Sequence, residues 1–407
     1  MIAILFLLSA AAATPAPPPQ SQPPGQRFEA PGRPPDKKND AKKALPLSMV
    51  ASWTVTLPSP AAGSLGFDTT QAYVPTRSSE LVALSLEDGT VAWTVPLTDI
   101  VGPPATGDGL VFVAHTRQVE ALDARTAASR WRATVEGPIS APLLWQNGWL
   151  LAATEQGDAI MFRAATGEVL WKQALGSAVR VQPAAADDRV YVLLEDGRVA
   201  ALALGTGKTI WEATLPGRGT MIYPLDDRIF VGSADKFFYC LAADTGKRKW
   251  RWRAGGTIVG TAAVDDDLVY FVSLDGMLRA LDRSNGHQAW KIPLPHRPTG
   301  GPFLSGRLLL VPGMSAEVPA FHAIDGSAAG SAKLPGEPAV PPAWLQGPDG
   351  KVGRMMVVAG EGQAQLLVPG LPTLPGKPIP GLPKFSLPPE IKGDVPEWVD
   401  PGAPTEF

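Results

Sequence analysis

Three acidic clusters recur along the chain at nearly even spacing: Asp187-Asp188, Asp226-Asp227 and Asp265-Asp266-Asp267. Carboxylates at this density suggest two kinds of chemistry. They could supply the oxygen ligands of a hard cation such as Ca²⁺, or one could act as a general base. Each cluster, however, stands directly before a β-rich run such as "VYVLL" or "LVYFVS". Asp at that place reads as turn chemistry on the solvated side of a hairpin. The four histidines, His115, His287, His296 and His322, show no ligand spacing. No Ser-His-Asp grouping, phosphate loop or paired carboxylate of defined spacing emerges. The one cysteine, Cys240, lies in the apolar run "FFYCLAA" and reads as a small buried thiol; alone, it cannot form an intrachain disulfide.

The elements that would position such groups are set by tryptophan. Trp53, Trp93, Trp131, Trp171, Trp211, Trp250 and Trp290 follow one another at intervals of 38 to 40 residues and account for seven of the 12 tryptophans. Four residues before each internal one stands Gly89, Ala127, Gly167, Gly207, Gly246 or Gly286. Just before that is Asp, Thr or Asn, as in Thr166-Gly167 and Asn285-Gly286. Such a pair between two apolar runs is a hairpin turn. Other turns recur in phase, among them Gly107-Asp108-Gly109, Gln146-Asn147-Gly148, "EQGD", "LEDGR", "SADKF" and "SLDGM". Each unit therefore holds four short strands with no helix-period stretch.

Units of about forty residues that cannot bury both faces alone are the blades of a β-propeller. Each tryptophan is expected to lie across the next blade, with the glycine giving it room and a neighbouring polar group meeting the indole N–H. After Trp290 one unit has lost its tryptophan, near Ser331, and a last unit supplies three strands. The orphan strand Ser52–Leu57 before the first complete unit supplies the missing fourth. The expected architecture is all-β: an eight-bladed propeller of four-stranded antiparallel blades over 48–368, closed by the N-terminal strand. Closure removes two edges of unpaired backbone. The acidic turns would then lie on one rim rather than converge on the axis.

The flanks differ in composition. Residues 2–13 are apolar, too short to span a bilayer, and end in small residues suited to a cleavage site; 1–13 read as a signal peptide, although no Lys or Arg precedes the run. No cysteine follows it that could take a lipid anchor, and no later stretch is a transmembrane helix. Residues 14–47 and 369–407 hold 21 of the 43 prolines and read as a linker and a disordered tail. A periplasmic or otherwise exported protein follows from this reading. With 36 basic and 39 acidic residues, net charge −3, nothing points to nucleic acid.

The stretch Val269 to Trp290, "VYFVSLDGMLRALDRSNGHQAW", resembles the pyrroloquinoline quinone (PQQ)-type propeller repeat. The resemblance covers Ser52 to Val368. WD-type repeats would place Asp after the tryptophan, where this chain has Thr94, Arg132, Lys172, Glu212, Arg251 and Lys291. Two branches share the PQQ-type repeat. In quinoprotein dehydrogenases, PQQ and Ca²⁺ sit in the axial channel, often beneath a disulfide of adjacent cysteines, which one cysteine cannot make. The other branch is similar to BamB, a scaffold of the outer-membrane β-barrel assembly machinery that performs no chemistry. The BamB resemblance implies a non-enzymatic platform without cofactor and with envelope protein partners. In that branch one loop carries an apolar–Arg cluster and the next carries acids. Here the first loop, "GSAVRVQP", offers Val179 and Arg180. The second, "LPGRGTMIYP", offers Arg218 and no acid.

Overall fold

Within each unit the second and third strands are apolar on both sides, and the outer strand alternates. In Arg189–Leu193 and Arg198–Ala203 every residue is buried except Arg189, Arg198 and Ala203, which are half-buried. In the outer strand Arg248–Arg253, "RKWRWR", exposed and half-buried positions alternate from Lys249 onward. A strand buried on both faces must read as a continuous hydrophobic run, whereas an edge strand facing water on one side alternates. This difference orders the strands from axis to rim.

The computed structural model describes residues 49–345 and 353–369. These form eight sheets of four antiparallel strands, and the described residues contain no helix. Blades 1 to 7 span 66–96, 105–134, 144–174, 184–214, 219–253, 258–293 and 303–333. Blade 8 combines Ala343–Leu345, Arg354–Val358 and Gln363–Pro369 with Met49–Thr56 as its outer strand. The first strands of neighbouring blades approach one another and so surround the axis. The expected closing strand is present, three residues longer at its start and one shorter at its end than Ser52–Leu57. The signal peptide at 1–13, the linker at 14–47 and all of the tail but Pro369 lie outside the described residues.

The core is divided among the junctions. Eight apolar clusters each straddle two adjacent blades. The cluster of Trp53, Leu86, Val74, Met356 and Leu366 joins blade 8 to blade 1 and completes the circle. Each third–outer strand pair also slips register once, beside the tryptophan position, as between Met161 and Phe162 or Ala51 and Trp53. Such a bulge adds twist to the outer strand.

The strand order gives the molecule two faces. Turns between first and second strands, and between third and outer strands, lie on one side, the turn face. Turns between second and third strands, and the loops that lead to the next blade, lie on the other, the loop face.

Candidate functional site

All seven comb tryptophans bind the following blade in the same way. Each indole N–H donates to a main-chain carbonyl there: Trp53 to Leu86, Trp93 to Ala124, Trp131 to Ala164, Trp171 to Leu204, Trp211 to Ala243, Trp250 to Arg283 and Trp290 to Ala323, at 2.8–3.3 Å. The ring covers the glycine of that blade's third–outer turn. A Cβ at Gly167, whose φ is +73°, would stand 2.6 Å from Trp131 Cε3. That glycine therefore answers two demands, a left-handed turn and a tryptophan lying on it. At the Trp93 junction the place is taken by Ala127 at φ +59°. Each of these tryptophans thus ties two neighbouring blades together. In blade 7 the lost one corresponds to Gly330, four residues after Gly326, and not to Ser331.

Arginine reinforces two junctions. Arg189 Nη1 donates to Ala243 O at 2.7 Å and Arg228 Nη1 to Arg283 O at 3.3 Å, the same carbonyls that receive Trp211 and Trp250. This pairing was not read from the sequence.

The acidic clusters sit in turns on the turn face, each with local work. Asp187 and Asp226 take φ of +53° and +52°, the left-handed geometry of tight hairpin turns. Asp265 accepts the N–H groups of Asp267 and Leu268 and the hydroxyl of buried Tyr270. The hydroxyl of Tyr73 is bound to Asp68 in the same way, at 2.6 Å. In both tyrosines, burial and the nearby carboxylate push the phenol well above its ordinary pKa. Asp227 pairs with Lys249 and Arg228. The turns of blades 5 and 6 do flank a shared cleft of about 460 Å³, where Asp226, Asp227, Asp266 and Asp267 face Arg228 and Arg283. Arg228 pairs with Asp227 and Arg283 lies 3.6 Å from Asp226.

Residues that could hold PQQ with Ca²⁺ would have to reach the axis. The eight inner strands read GF, ATG, LWQ, AAA, GTMIYPL, IVGTAAV, FLS and AWL, with no acidic residue, base or histidine among them. A calcium–quinone centre needs several oxygen ligands and a carboxylate base, and the inner strands supply no carboxylate. The four histidines are dispersed over blade 2, a turn of blade 6, the loop before blade 7, and blade 7. Cys240 is fully buried, and burial pushes its thiol up to about 11.

The loop face of blades 3 to 5 carries a different arrangement. Arg180 lies in the loop from blade 3 to blade 4, and Arg218 in the loop from blade 4 to blade 5. Arg180 Nη1 meets Glu155 Oε1 at 3.2 Å and its Nε lies 3.7 Å from Glu195 Oε1. Arg218 Nη1 meets the same Glu195 oxygen at 3.1 Å. The result is a ladder of alternating charge, Glu155–Arg180–Glu195–Arg218, whose two arginine side chains are 50% and 56% exposed. Exposed pairs of this kind contribute about 0–1 kcal/mol to stability. The ladder is therefore a pre-oriented polar surface rather than a fastener.

Val179, expected as the apolar half of a surface pair with Arg180, is instead fully buried in the cluster between blades 3 and 4. Its carbonyl accepts the Ser140 hydroxyl at 2.6 Å, which ties successive loops together. Its role is to set the loop that presents Arg180. Glu155 and Glu195 went unread, although "EQGD" and "LEDG" place them in phase at the same turn.

The profile of the family described as outer membrane protein assembly factor BamB matches residues 51–139, 115–214 and 195–340. BamB of Yersinia pestis is 25% identical over 171 residues, 37% of this chain and 43% of that protein, so the chain spans under half the length of this curated relative. The crystal structure of BamB from Moraxella catarrhalis superposes with a TM-score of 0.66 at 18% identity, covering 79% of this chain and 99% of that one. The quinohemoprotein alcohol dehydrogenase from Comamonas testosteroni gives 0.64 at 15% identity, covering 79% and 76%. At such identities these two likenesses concern the fold.

Proposed function

This chain belongs to the BamB family of outer membrane protein assembly factors, and on that footing we propose that it is a periplasmic, non-enzymatic scaffold that docks envelope proteins of the β-barrel assembly machinery. The observation that supports this is the charge ladder at Arg180 and Arg218: half-exposed arginines, held in register by carboxylates, on a frame riveted blade to blade. Arginine in such a setting suits protein recognition, because its planar donors engage carboxylates and carbonyls in fixed geometry. Truncating one that serves as a hot spot costs roughly 2 kcal/mol or more of binding. The protein works without a cofactor in this reading.

Affinity capture from envelope extract with wild-type and Arg180→Glu baits tests it. Recovery of a β-barrel assembly component by the wild type alone is expected, with unchanged thermal stability of the variant. Identical catches would remove Arg180 from the docking surface. Purified protein mixed with PQQ and Ca²⁺ should neither bind the quinone tightly nor reduce a dye with alcohols or sugars. Robust turnover would overturn the scaffold reading.

A further inference from the structure

The rim of the ring, formed by the outer strands, is strongly basic at one blade. The blade 5 strand Arg248–Arg253 places Arg248, Lys249, Arg251 and Arg253 within six residues, all four exposed, and contains no acid. No other outer strand holds more than two basic residues. Where two occur, in blade 2, each is answered by an acid of its own blade: Arg130 by Asp123 and Arg132 by Glu120. In blade 5 Lys249 meets Asp227, whereas Arg248, Arg251 and Arg253 form no ion pair among the described residues. The tryptophans of this strand are already engaged with blade 6, Trp250 with Arg283 O and Trp252 with the Phe271 ring. Its basic positions face water. A charge on an edge strand deters pairing with foreign strands, but the other seven edges manage with two basic residues or fewer.

The complementary charge stands in the sequence beyond the last described strand. Between 390 and 406 lie Glu390, Asp394, Glu397, Asp400 and Glu406 against one basic residue, Lys392, a net charge of −4. The four basic residues of Arg248–Arg253 match it with opposite sign. Asp394, Glu397 and Asp400 recur at every third residue, so an extended polyproline-type segment would turn all three to one side, about 9 Å apart. Arg248 and Arg251 are also three residues apart, about 10 Å along a strand. From Pro369, residues 370–389 lead to Glu390, and seven of them are proline. At about 3.1 Å per residue that stretch spans about 60 Å. A domain of this size has a radius of gyration of about 20 Å, so the rim of blade 5 is within reach.

We infer that residues 390–406 dock on the rim of blade 5, their carboxylates meeting Arg248, Arg251 and Arg253. Exposed ion pairs are weak one by one, but the tether offsets this. A linker that spans the distance holds the segment at millimolar local concentration, so an intrinsic Kd of about 1 mM keeps it docked about half the time. The docked segment shields the most basic strand of the rim from other anionic polymers, and salt releases it. The loop face and its ladder take no part in this contact.

Because Cys240 is fully buried, Thr405→Cys provides a thiol for a fluorophore on the full-length chain. At low ionic strength the anisotropy of the label should fall about two-fold when Arg248 and Arg253 are both changed to Gln. Neutralising the segment instead, with Asp394→Asn, Glu397→Gln and Asp400→Asn, should lower it equally without touching the ring. Combining the two sets should bring no further fall, and high salt should bring the parent to the same value. Melting of the rim variant should match that of the parent. Equal anisotropy in all variants overturns the inference. So does a fall on neutralising the segment that the rim variant does not reproduce, which would place the segment elsewhere. An anisotropy that rises with protein concentration, alongside a dimer on gel filtration, would give the segment to a second copy of the chain and also overturn it.

Discussion

Seven blade junctions carry a tryptophan and the eighth, from blade 7 to blade 8, does not. The difference lies in the receiver. Each indole meets a third–outer turn on the next blade, which provides a carbonyl for the N–H and, at every such junction but that of Trp93, a glycine for the ring to lie on. In blade 8 the third strand, Gln363–Pro369, and the outer strand, Met49–Thr56, come from opposite ends of the sequence, and no turn joins them. A tryptophan at Gly330 would find neither partner. That junction relies instead on stacking of Phe303 against Trp344 at 6.1 Å between inner strands, over Met355, Val357 and Leu367. A repeat keeps its signature residue where the neighbour that receives it persists, and drops it where topology removes that neighbour.

Deleting the chain through Trp53 should have the largest effect. It removes five of the eight residues of the outer strand of blade 8 and, with Trp53, the rivet to blade 1. Loss of the cooperative melt and aggregation on gel filtration are expected, against a mild effect of trimming 14–47. Equal behaviour of the two truncations would break the account of closure. Next comes Trp211→Ala, which should cost roughly 3–5 kcal/mol by urea denaturation. Gly330→Trp, which restores the comb at the wrong junction, should bring no gain and cost about 1–3 kcal/mol through overpacking. A stabilised Gly330→Trp would refute the argument from the missing turn.

Smaller effects sharpen the contrast. Gly167→Ala should lose roughly 1–3 kcal/mol, since its Cβ would press on Trp131 at positive φ. The junction of blades 5 and 6 has an acid sensitivity of its own. There Asp275 pairs with Arg279, whose guanidinium stacks over Trp252. Burial alone would raise the Asp275 pKa, but hydrogen bonds from Arg279 and Ser273 outweigh it and hold the carboxyl at about 2, below its ordinary 3.8. A pKa lower in the folded than in the unfolded chain stabilises the fold above about pH 4, and that contribution fades as pH falls toward 2. Melting curves over this range should show about 1 kcal/mol more loss in the wild type than in Asp275→Asn. Smallest, Ala127→Gly should stabilise by roughly 0.5–1 kcal/mol, because it relieves a left-handed alanine. A neutral or destabilising result there would mean that the alanine methyl packs on Trp93.

The fold could be read from the sequence because its signals are local and repeated. Trp171 and Gly167 lie four residues apart, and each turn announces itself through Asp, Asn or Gly. Even the long-range closure by Trp53 was legible as a leftover strand looking for a three-stranded partner. The candidate site was legible only in part. Arg180 and Arg218 were found in their loops, but Glu195 joins them from a turn of another segment, a relation fixed by which face each turn occupies. Val179 misled for a simple reason: an apolar residue in a loop reads as a surface anchor until the neighbouring blade is seen to cover it. Asp265 looks like any solvated turn acid until Tyr270 is placed beneath it.

Met49 and Pro369 are register partners at one end of the closing strand pair. Any pull exerted through the two flanking segments therefore acts on adjacent points and peels that pair open like a zipper, one rung at a time, rather than shearing all rungs together. Under tension the ring is mechanically soft at this one place, whatever its resistance to heat or denaturant. A molecule held by both ends should yield first by releasing Met49–Thr56, with Trp53 as the first large barrier to further opening.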